Sequence, residues 1–157
     1  QTDVKRMLAY SSVSHAGFLL MPLATATAFG GATLVFYLVS YGAMVHRCLA
    51  AADSLTSEGT ACTVIDLRSL VPLDTRTILG SVAKTGHLYT VEENPRLCGW
   101  GAEVASIVAD EAFYDLDGPI VRITTPHIPL PSADLLEDAV LPTVDRIAET
   151  VRRSLES

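Results

Sequence analysis

Hydrophobic and polar positions divide the chain into two unlike parts. Residues 7–46 contain no Asp, Glu, Lys or Arg, whereas charged residues recur every few positions in the remainder of the chain. This uncharged run exceeds the ~20 residues that an α-helix needs to cross the hydrocarbon core of a bilayer. Pro22 and the Gly30-Gly31 pair would divide the run into two helices. The pattern therefore predicts an apolar, helical N-terminal segment that can contact a membrane through residues 7–45.

From residue 33 onwards, short β-branched and aromatic runs alternate with segments of helical periodicity. The runs predict strands over residues 33–41, 60–67, 87–92 and 119–124. The periodic segments predict helices over residues 43–57 and 75–84, from 99 to about 113, around 135–138 and after Pro142. Strands separated by helices are typical of βαβ units. The expected fold class is α/β with three layers, a mostly parallel sheet and helices on both of its faces.

Composition limits the kinds of partner that the chain can bind and the cellular compartment that suits it. The 157 residues carry a formal net charge of −7 and a mean hydropathy of +0.34, which excludes a disordered chain. The acidic balance argues against nucleic acid, because phosphate neutralisation needs clustered Lys and Arg, and it is compatible with a basic protein partner. Three cysteines without CxxC spacing favour a reducing compartment, with Cys48 and Cys62 as small buried residues. The histidines show no metal spacing.

One resemblance concerns the N-terminal part of the chain. The run KRMLAYSS (residues 5–12), followed by His15 and Gly17, resembles a membrane segment of the proton-pumping, antiporter-like subunits of respiratory complex I, subunit N most closely. The resemblance covers residues 1–37 and implies one candidate function, a membrane fragment of a proton-pumping NADH-quinone oxidoreductase subunit with a soluble tail. The Lys and Glu residues that carry protons in that family lie on helices outside this stretch, so no proton path can be assembled from it.

A second resemblance covers the rest of the chain and is carried by four blocks in order. They are LVSYGAMV (38–45), VIDLRSLVPLD (64–74), VEE with GWGAE (91–103), and VRIT with its downstream prolines, LED and LP (121–142). Together they resemble the C-terminal domain of the beta subunit of thiamin-diphosphate-dependent 2-oxo acid dehydrogenases of the pyruvate, branched-chain and acetoin types. We therefore divide the chain into an apolar membrane-like segment, residues 1–37, and a transketolase C-terminal-like domain, residues 38–157. The stretch FYLVSYGAM (36–44) suits both resemblances, which is consistent with a chimeric fragment.

The second resemblance implies assembly rather than chemistry for this chain. In the intact enzymes, thiamin diphosphate and magnesium lie between an alpha-subunit domain and the N-terminal domain of the beta subunit. The resemblance places neither domain in this chain, and its nearest match to a Gly-Asp-Gly motif, residues 115–118, lacks the first glycine. We therefore expect no catalytic, cofactor-binding or metal-binding residues here. The expected partners are the alpha subunit, a second beta subunit and the basic peripheral subunit-binding domain of the acyltransferase, in the cytoplasm.

Three residues are predicted to bind these partners. Asp117, in the turn before the fourth strand, matches the position of an aspartate that contacts the peripheral domain in related enzymes; the alternative is a solvated turn residue beside Gly118-Pro119. Trp100 is expected at a subunit contact. Glu137, in the short acidic helix, is the third predicted partner residue.

The end of the third strand offers further candidate chemistry. Glu92 and Glu93 could serve acid–base work as paired carboxylates, or they could cap or salt-bridge the following loop through Arg96. The turn Gly99-Trp100-Gly101 could present backbone N–H groups to an anion. The alternative is that this turn packs its helix tightly on the sheet.

Overall fold

The computed structural model describes residues 35–129 and 131–155. Nearly all of the predicted membrane-like segment, with its resemblance to complex I, lies outside these residues. Val35–Ser40 form the first strand, which therefore begins within the range predicted as that segment, and the division at residue 37 stays a prediction. None of the helices in the described residues combines the length and the apolar character needed to cross a lipid bilayer.

The elements alternate as the hydrophobic pattern predicts. The strands in the described residues are β1 (Val35–Ser40), β2 (Ala61–Asp66), β3 (Leu88–Pro95) and β4 (Val121–Thr125). The α-helices there are α1 (Met44–Ser57), α2 (Thr75–Thr85), α3 (Trp100–Glu111), α4 (Asp134–Val140) and α5 (Val144–Leu155), and a 3-10 turn follows α3 at Phe113–Asp115. β3 continues three residues beyond its predicted end, because Pro95 pairs with Thr125 of β4 after a shift in register.

The four strands form one parallel sheet in the order β2-β1-β3-β4. β1 lies inside the sheet, where Leu38 is in register with Val64 of β2 and with Tyr89 of β3. Because all pairings are parallel, every strand ends at the same edge of the sheet, which we call the carboxyl edge; the opposite edge is the amino edge. This topology confirms the predicted α/β class.

Alternation of side chains along the strands gives the sheet two buried faces. On one face, Leu38 and Val91 pack with residues of α1 and α5, including Leu55 and Ile147. On the other face, Val39, Ile65 and Leu88 pack with residues of α2 and α3, which are Ile78, Val82, Val104 and Val108. Helices therefore cover both faces, which confirms the predicted three layers.

The ends of α2 illustrate why these residues form a helix. The side chain of Asp74 accepts a hydrogen bond from the backbone N–H of Thr77 at 3.1 Å, so one unpaired amide of the first turn is satisfied. The helix ends at Gly86, whose φ of 66° lies in the left-handed region that favours glycine. The helix begins at the predicted residue 75 and ends one residue beyond the predicted 84.

The short helix α4 differs from the others because none of its residues is buried. It is held to the first turn of α1 by Arg47, whose guanidinium lies 2.7 Å from the Asp138 carboxylate and also donates to the carbonyl of Pro142 at 3.1 Å. Since Arg47 follows the end of β1, α4 lies near the carboxyl edge. Its two leucines, Leu135 and Leu136, are exposed.

Candidate functional site

Glu92, on β3, is the one charged residue that is buried in the described part of the chain, and it directly follows Val91, which pairs with the last residue of β1. Its side chain is 0% exposed. The two carboxylate oxygens accept hydrogen bonds from different groups: Oε1 from Nη2 of Arg122 at 2.8 Å and from its Nε at 3.0 Å, and Oε2 from the backbone N–H of Gly101 at 3.0 Å. Thr90 Oγ1 adds a bond to Oε1 at 3.3 Å, and Asn94 Nδ2 adds one to Oε2 at 3.1 Å. The carboxylate is thus surrounded by donors, as a buried charge requires.

The glycine turn that begins α3 is shaped by this carboxylate. Gly99 is the N-cap in extended conformation, and Gly101 supplies the N–H that Glu92 accepts. A Cβ atom added at either glycine would overlap an oxygen of the Glu92 carboxylate. A side chain at either position would therefore force the carboxylate or the helix to move.

The structure decides between the alternatives for this region. Glu92 accepts the N–H of Gly101 at the start of α3 and forms a salt bridge with Arg122 of β4, so the expected contact through Arg96 is wrong. Glu93 is exposed, whereas Glu92 is buried; the two carboxylates therefore point to different environments and do not form an acid–base pair. The anion at the start of α3 is the chain's own carboxylate.

Sequence reasoning missed Arg122, which lies thirty positions away from Glu92. A signal was present in the register of the sheet, because Arg122 is in register with Thr90, two residues before Glu92 on the same face of β3. That register depends on which strands are neighbours. The four-strand pattern alone does not specify that β3 pairs with β4.

Asp117 lies at the amino edge, in the loop that leads into β4. Its backbone N–H donates to the carbonyl of Gly86 at 2.8 Å, and its side chain, although exposed, lies so close to Gly86 that a Cβ there would overlap it. Just before it, Phe113 and Tyr114 form an edge-to-face pair with ring centroids 5.5 Å apart, and Tyr114 is 98% exposed. The backbone of Asp117 is therefore held at Gly86, three residues along the chain from the exposed ring of Tyr114.

The other two predicted partner residues lie at the carboxyl edge. Trp100 begins α3 and packs, half-buried, against the core face that includes Val104. Glu137 lies on α4 and is half-buried. The structure does not bring Asp117 together with Trp100 and Glu137, since they lie at opposite edges of the sheet. Their contacts with partners stay predictions.

The three thiols occupy different environments. Burial raises the pKa of the Cys48 thiol to about 12, although a hydrogen bond with Ser40 acts weakly in the opposite direction. Cys62 is half-buried, and burial raises the pKa of its thiol to about 12 as well. Cys98 is exposed at the carboxyl edge. Within residues 35–129 and 131–155, no group of three His, Cys, Asp or Glu side chains is arranged to hold a metal ion.

Comparison with known proteins gives a family match over most of the chain. Residues 36–147 match the model of the family described as "Transketolase, C-terminal domain". The pyruvate dehydrogenase E1 component subunit beta of Leifsonia xyli is 43% identical over 118 residues, which cover 75% of this chain and 35% of that protein. The acetoin:2,6-dichlorophenolindophenol oxidoreductase subunit beta of Cupriavidus necator is 40% identical, covering 76% of this chain and 35% of its own length.

A solved structure shares the fold. It is titled "Split gene transketolase, inactive beta4 tetramer" and matches with a TM-score of 0.66 and 27% sequence identity, covering 79% of this chain and 39% of the other. The chain described here thus spans about a third of the length of the curated relatives that it matches.

Proposed function

Since this chain belongs to the family of transketolase C-terminal domains through residues 36–147, we propose that it is the C-terminal assembly domain of a 2-oxo acid dehydrogenase beta subunit. In the intact enzyme, the oxidative decarboxylation of a 2-oxo acid would take place in other domains, with thiamin diphosphate and magnesium. This domain would contribute contacts between subunits and a docking surface for the acyltransferase. The relatives named as beta subunits of pyruvate dehydrogenase and of an acetoin oxidoreductase support this proposal.

The observation that carries the docking role is the surface formed by residues 110–117, which we call the acidic segment. It holds four carboxylates and no basic side chain, and two exposed aromatic rings lie in its centre; its charged members are Asp110, Glu111, Asp115 and Asp117. Negative charge at an interface steers a basic partner and fixes its orientation more than it adds affinity. Aromatic side chains are the residues that most often anchor such contacts. We propose that this segment binds the basic peripheral subunit-binding domain of the acyltransferase.

Asp117 is the member of the acidic segment best placed to select orientation. Its carboxylate is exposed and its backbone is already bound to Gly86, so a basic partner would not have to order the backbone at this position. A solvated turn residue would also be exposed. Only a binding measurement separates the two roles.

Contacts with other subunits are supported by apolar side chains exposed at the carboxyl edge. The loops after β2 and β3 expose Val71 and Leu97, and α4 exposes Leu135 to 88%. Large exposed apolar surfaces mark sites that other proteins cover. We propose that the alpha subunit and a second beta subunit cover them; the solved relative titled as a beta4 tetramer supports association between copies of this domain type.

The test of the docking role is the substitution Asp117→Lys. Binding of a recombinant peripheral subunit-binding domain to the whole chain is measured by calorimetry at fixed salt concentration. Reversal of the charge should raise the dissociation constant about tenfold, because an attractive charge pair becomes repulsive.

The matched control is Asp53→Lys, which makes the same change of charge at an exposed aspartate on α1, outside the acidic segment. This variant should bind as the unchanged chain does. Equal dissociation constants for Asp117→Lys and Asp53→Lys would show that Asp117 is only a solvated turn residue.

A further inference from the structure

Glu92 occupies the position where a parallel α/β domain ordinarily receives an anionic ligand. Such ligands lie beyond the carboxyl ends of the strands, where the backbone N–H groups at the start of a helix attract negative charge. Here β1 ends at Ser40, which pairs with Val91 of β3, and the carboxylate of the next residue, Glu92, accepts the N–H of Gly101 in the glycine turn of α3. The carboxylate of Glu92 therefore takes the place of an external anion at the start of α3.

We infer that Glu92 is a built-in anionic ligand that closes this position, and that removal of its carboxylate opens the position to a small carboxylate such as formate or acetate. The donors form a set suited to a carboxylate, because each of the two oxygens has its own partners. Arg122 binds Oε1 through two nitrogens, while Gly101 and Asn94 bind Oε2. The Arg122 side chain is itself only 10% exposed, so its guanidinium has a fixed place and is shielded from water.

The space around the carboxylate sets the size of the ligand. A single Cβ atom at Gly99 or Gly101 would overlap the carboxylate oxygens, and the one at Gly101 would also lie 2.6 Å from Oγ1 of Thr90. The position therefore has no room for a tetrahedral phosphate beside Glu92. Truncation of Glu92 to alanine would free the volume of a carboxymethyl group, which matches formate or acetate.

The presence of Glu92 at this position also affects whether it could bind thiamin diphosphate, the cofactor that the family resemblance implies for the intact enzyme. A diphosphate brought to the start of α3 would meet the fixed negative charge of Glu92, and the one guanidinium there is already bound to that carboxylate. The residues at this position do not fit the cofactor. In this domain the carboxylate of Glu92 occupies the anion position and links β3, β4 and the start of α3.

The experiment compares thermal unfolding of the whole chain carrying Glu92→Ala in sodium formate and in sodium chloride at equal ionic strength. A three-atom ligand in a complete donor set should bind with a dissociation constant of about 1 mM. At ~100 mM formate, Tm of this variant should exceed its value in chloride by at least about 5 °C. The unchanged chain, and Glu93→Ala at the neighbouring exposed carboxylate, should show no difference between the two salts.

A second variant keeps the test decisive if Glu92→Ala is unfolded in chloride. Glu92→Gln fills the same space without the charge, so it should fold with reduced stability and should not respond to formate. Recovery of folded Glu92→Ala in formate supports the inference. The inference is overturned if Glu92→Ala has the same Tm in both salts, or if it fails to fold in either salt while Glu92→Gln folds. A shift of the Gly101 amide resonance in the unchanged chain on addition of millimolar phosphate would also overturn it.

Discussion

At the scale of single residues, the interior of this domain depends on how one buried charge is compensated. Burial of an isolated carboxylate costs several kcal/mol, and the cost is offset only where a counter-charge and hydrogen bonds surround it. Glu92 meets this condition through Arg122, Gly101, Thr90 and Asn94. Removal of one partner should therefore cost more than any exposed ion pair of the domain contributes, since exposed pairs are worth about 0–1 kcal/mol.

Arg122→Leu tests this compensation. It leaves the Glu92 carboxylate buried without its counter-charge, so the free energy of unfolding should fall by about 3–5 kcal/mol. Urea unfolding of the chain measures the change. The control Arg96→Leu removes a guanidinium from the exposed loop that was first expected to pair with Glu92, and it should change stability by less than about 0.5 kcal/mol. Similar losses for the two variants would contradict the assigned pairing.

At the scale of elements, periodicity in the sequence was sufficient to predict the strands and helices, whereas contacts between elements were not. The strand β2, which contains Val64, and the helix α2, which Asp74 caps, are each specified by the local sequence of their own segment. The extension of β3 to Pro95 depends on pairing with Thr125, and the burial of Glu92 depends on Arg122 from the neighbouring strand. These features follow from strand order, which local patterns do not encode.

The Asp74 cap of α2 gives a prediction about pH. Hydrogen bonds from the Thr77 side chain, and then from its backbone N–H, lower the pKa of Asp74 below its ordinary value of 3.8. Because the folded pKa is below the unfolded one, the contribution of Asp74 is fully present above the unfolded pKa and is lost as pH falls through the folded pKa. Asp74→Ala should therefore reduce stability by about 1 kcal/mol at pH 7, and the difference should shrink as the pH falls below 3.8.

Asp74→Asn is the matched control for this prediction, because Asn caps helices about as well as Asp and does not titrate. The stability of Asp74→Ala relative to Asp74→Asn should stay constant with pH. Chemical unfolding between about pH 2 and 7 measures both differences. If the gap between the unchanged chain and Asp74→Ala stayed constant over this range, the carboxylate of Asp74 would not be the titrating cap.

At the scale of the whole molecule, the two edges of the sheet have different surfaces. The carboxyl edge exposes apolar groups such as Leu97 and Leu135, and the amino edge carries the acidic segment with the ring of Tyr114. Different surfaces suit different partners, which agrees with the proposal that other subunits and a basic acyltransferase domain bind at separate edges. The fold and the family could be predicted from the sequence. The two surfaces could not, because the exposure of loop residues depends on how the elements pack. The resemblance of residues 1–37 to complex I stays a prediction.

The most direct test of the assembly role is hydrogen–deuterium exchange of the whole chain with and without a recombinant peripheral subunit-binding domain of an acyltransferase. The amides of the acidic segment, residues 110–117, should exchange more slowly in the mixture, and those around Asp53 on α1 should exchange at an unchanged rate. Docking through this surface would be contradicted if exchange in the acidic segment did not change at a saturating concentration of the partner. It would also be contradicted if only other parts of the domain became protected.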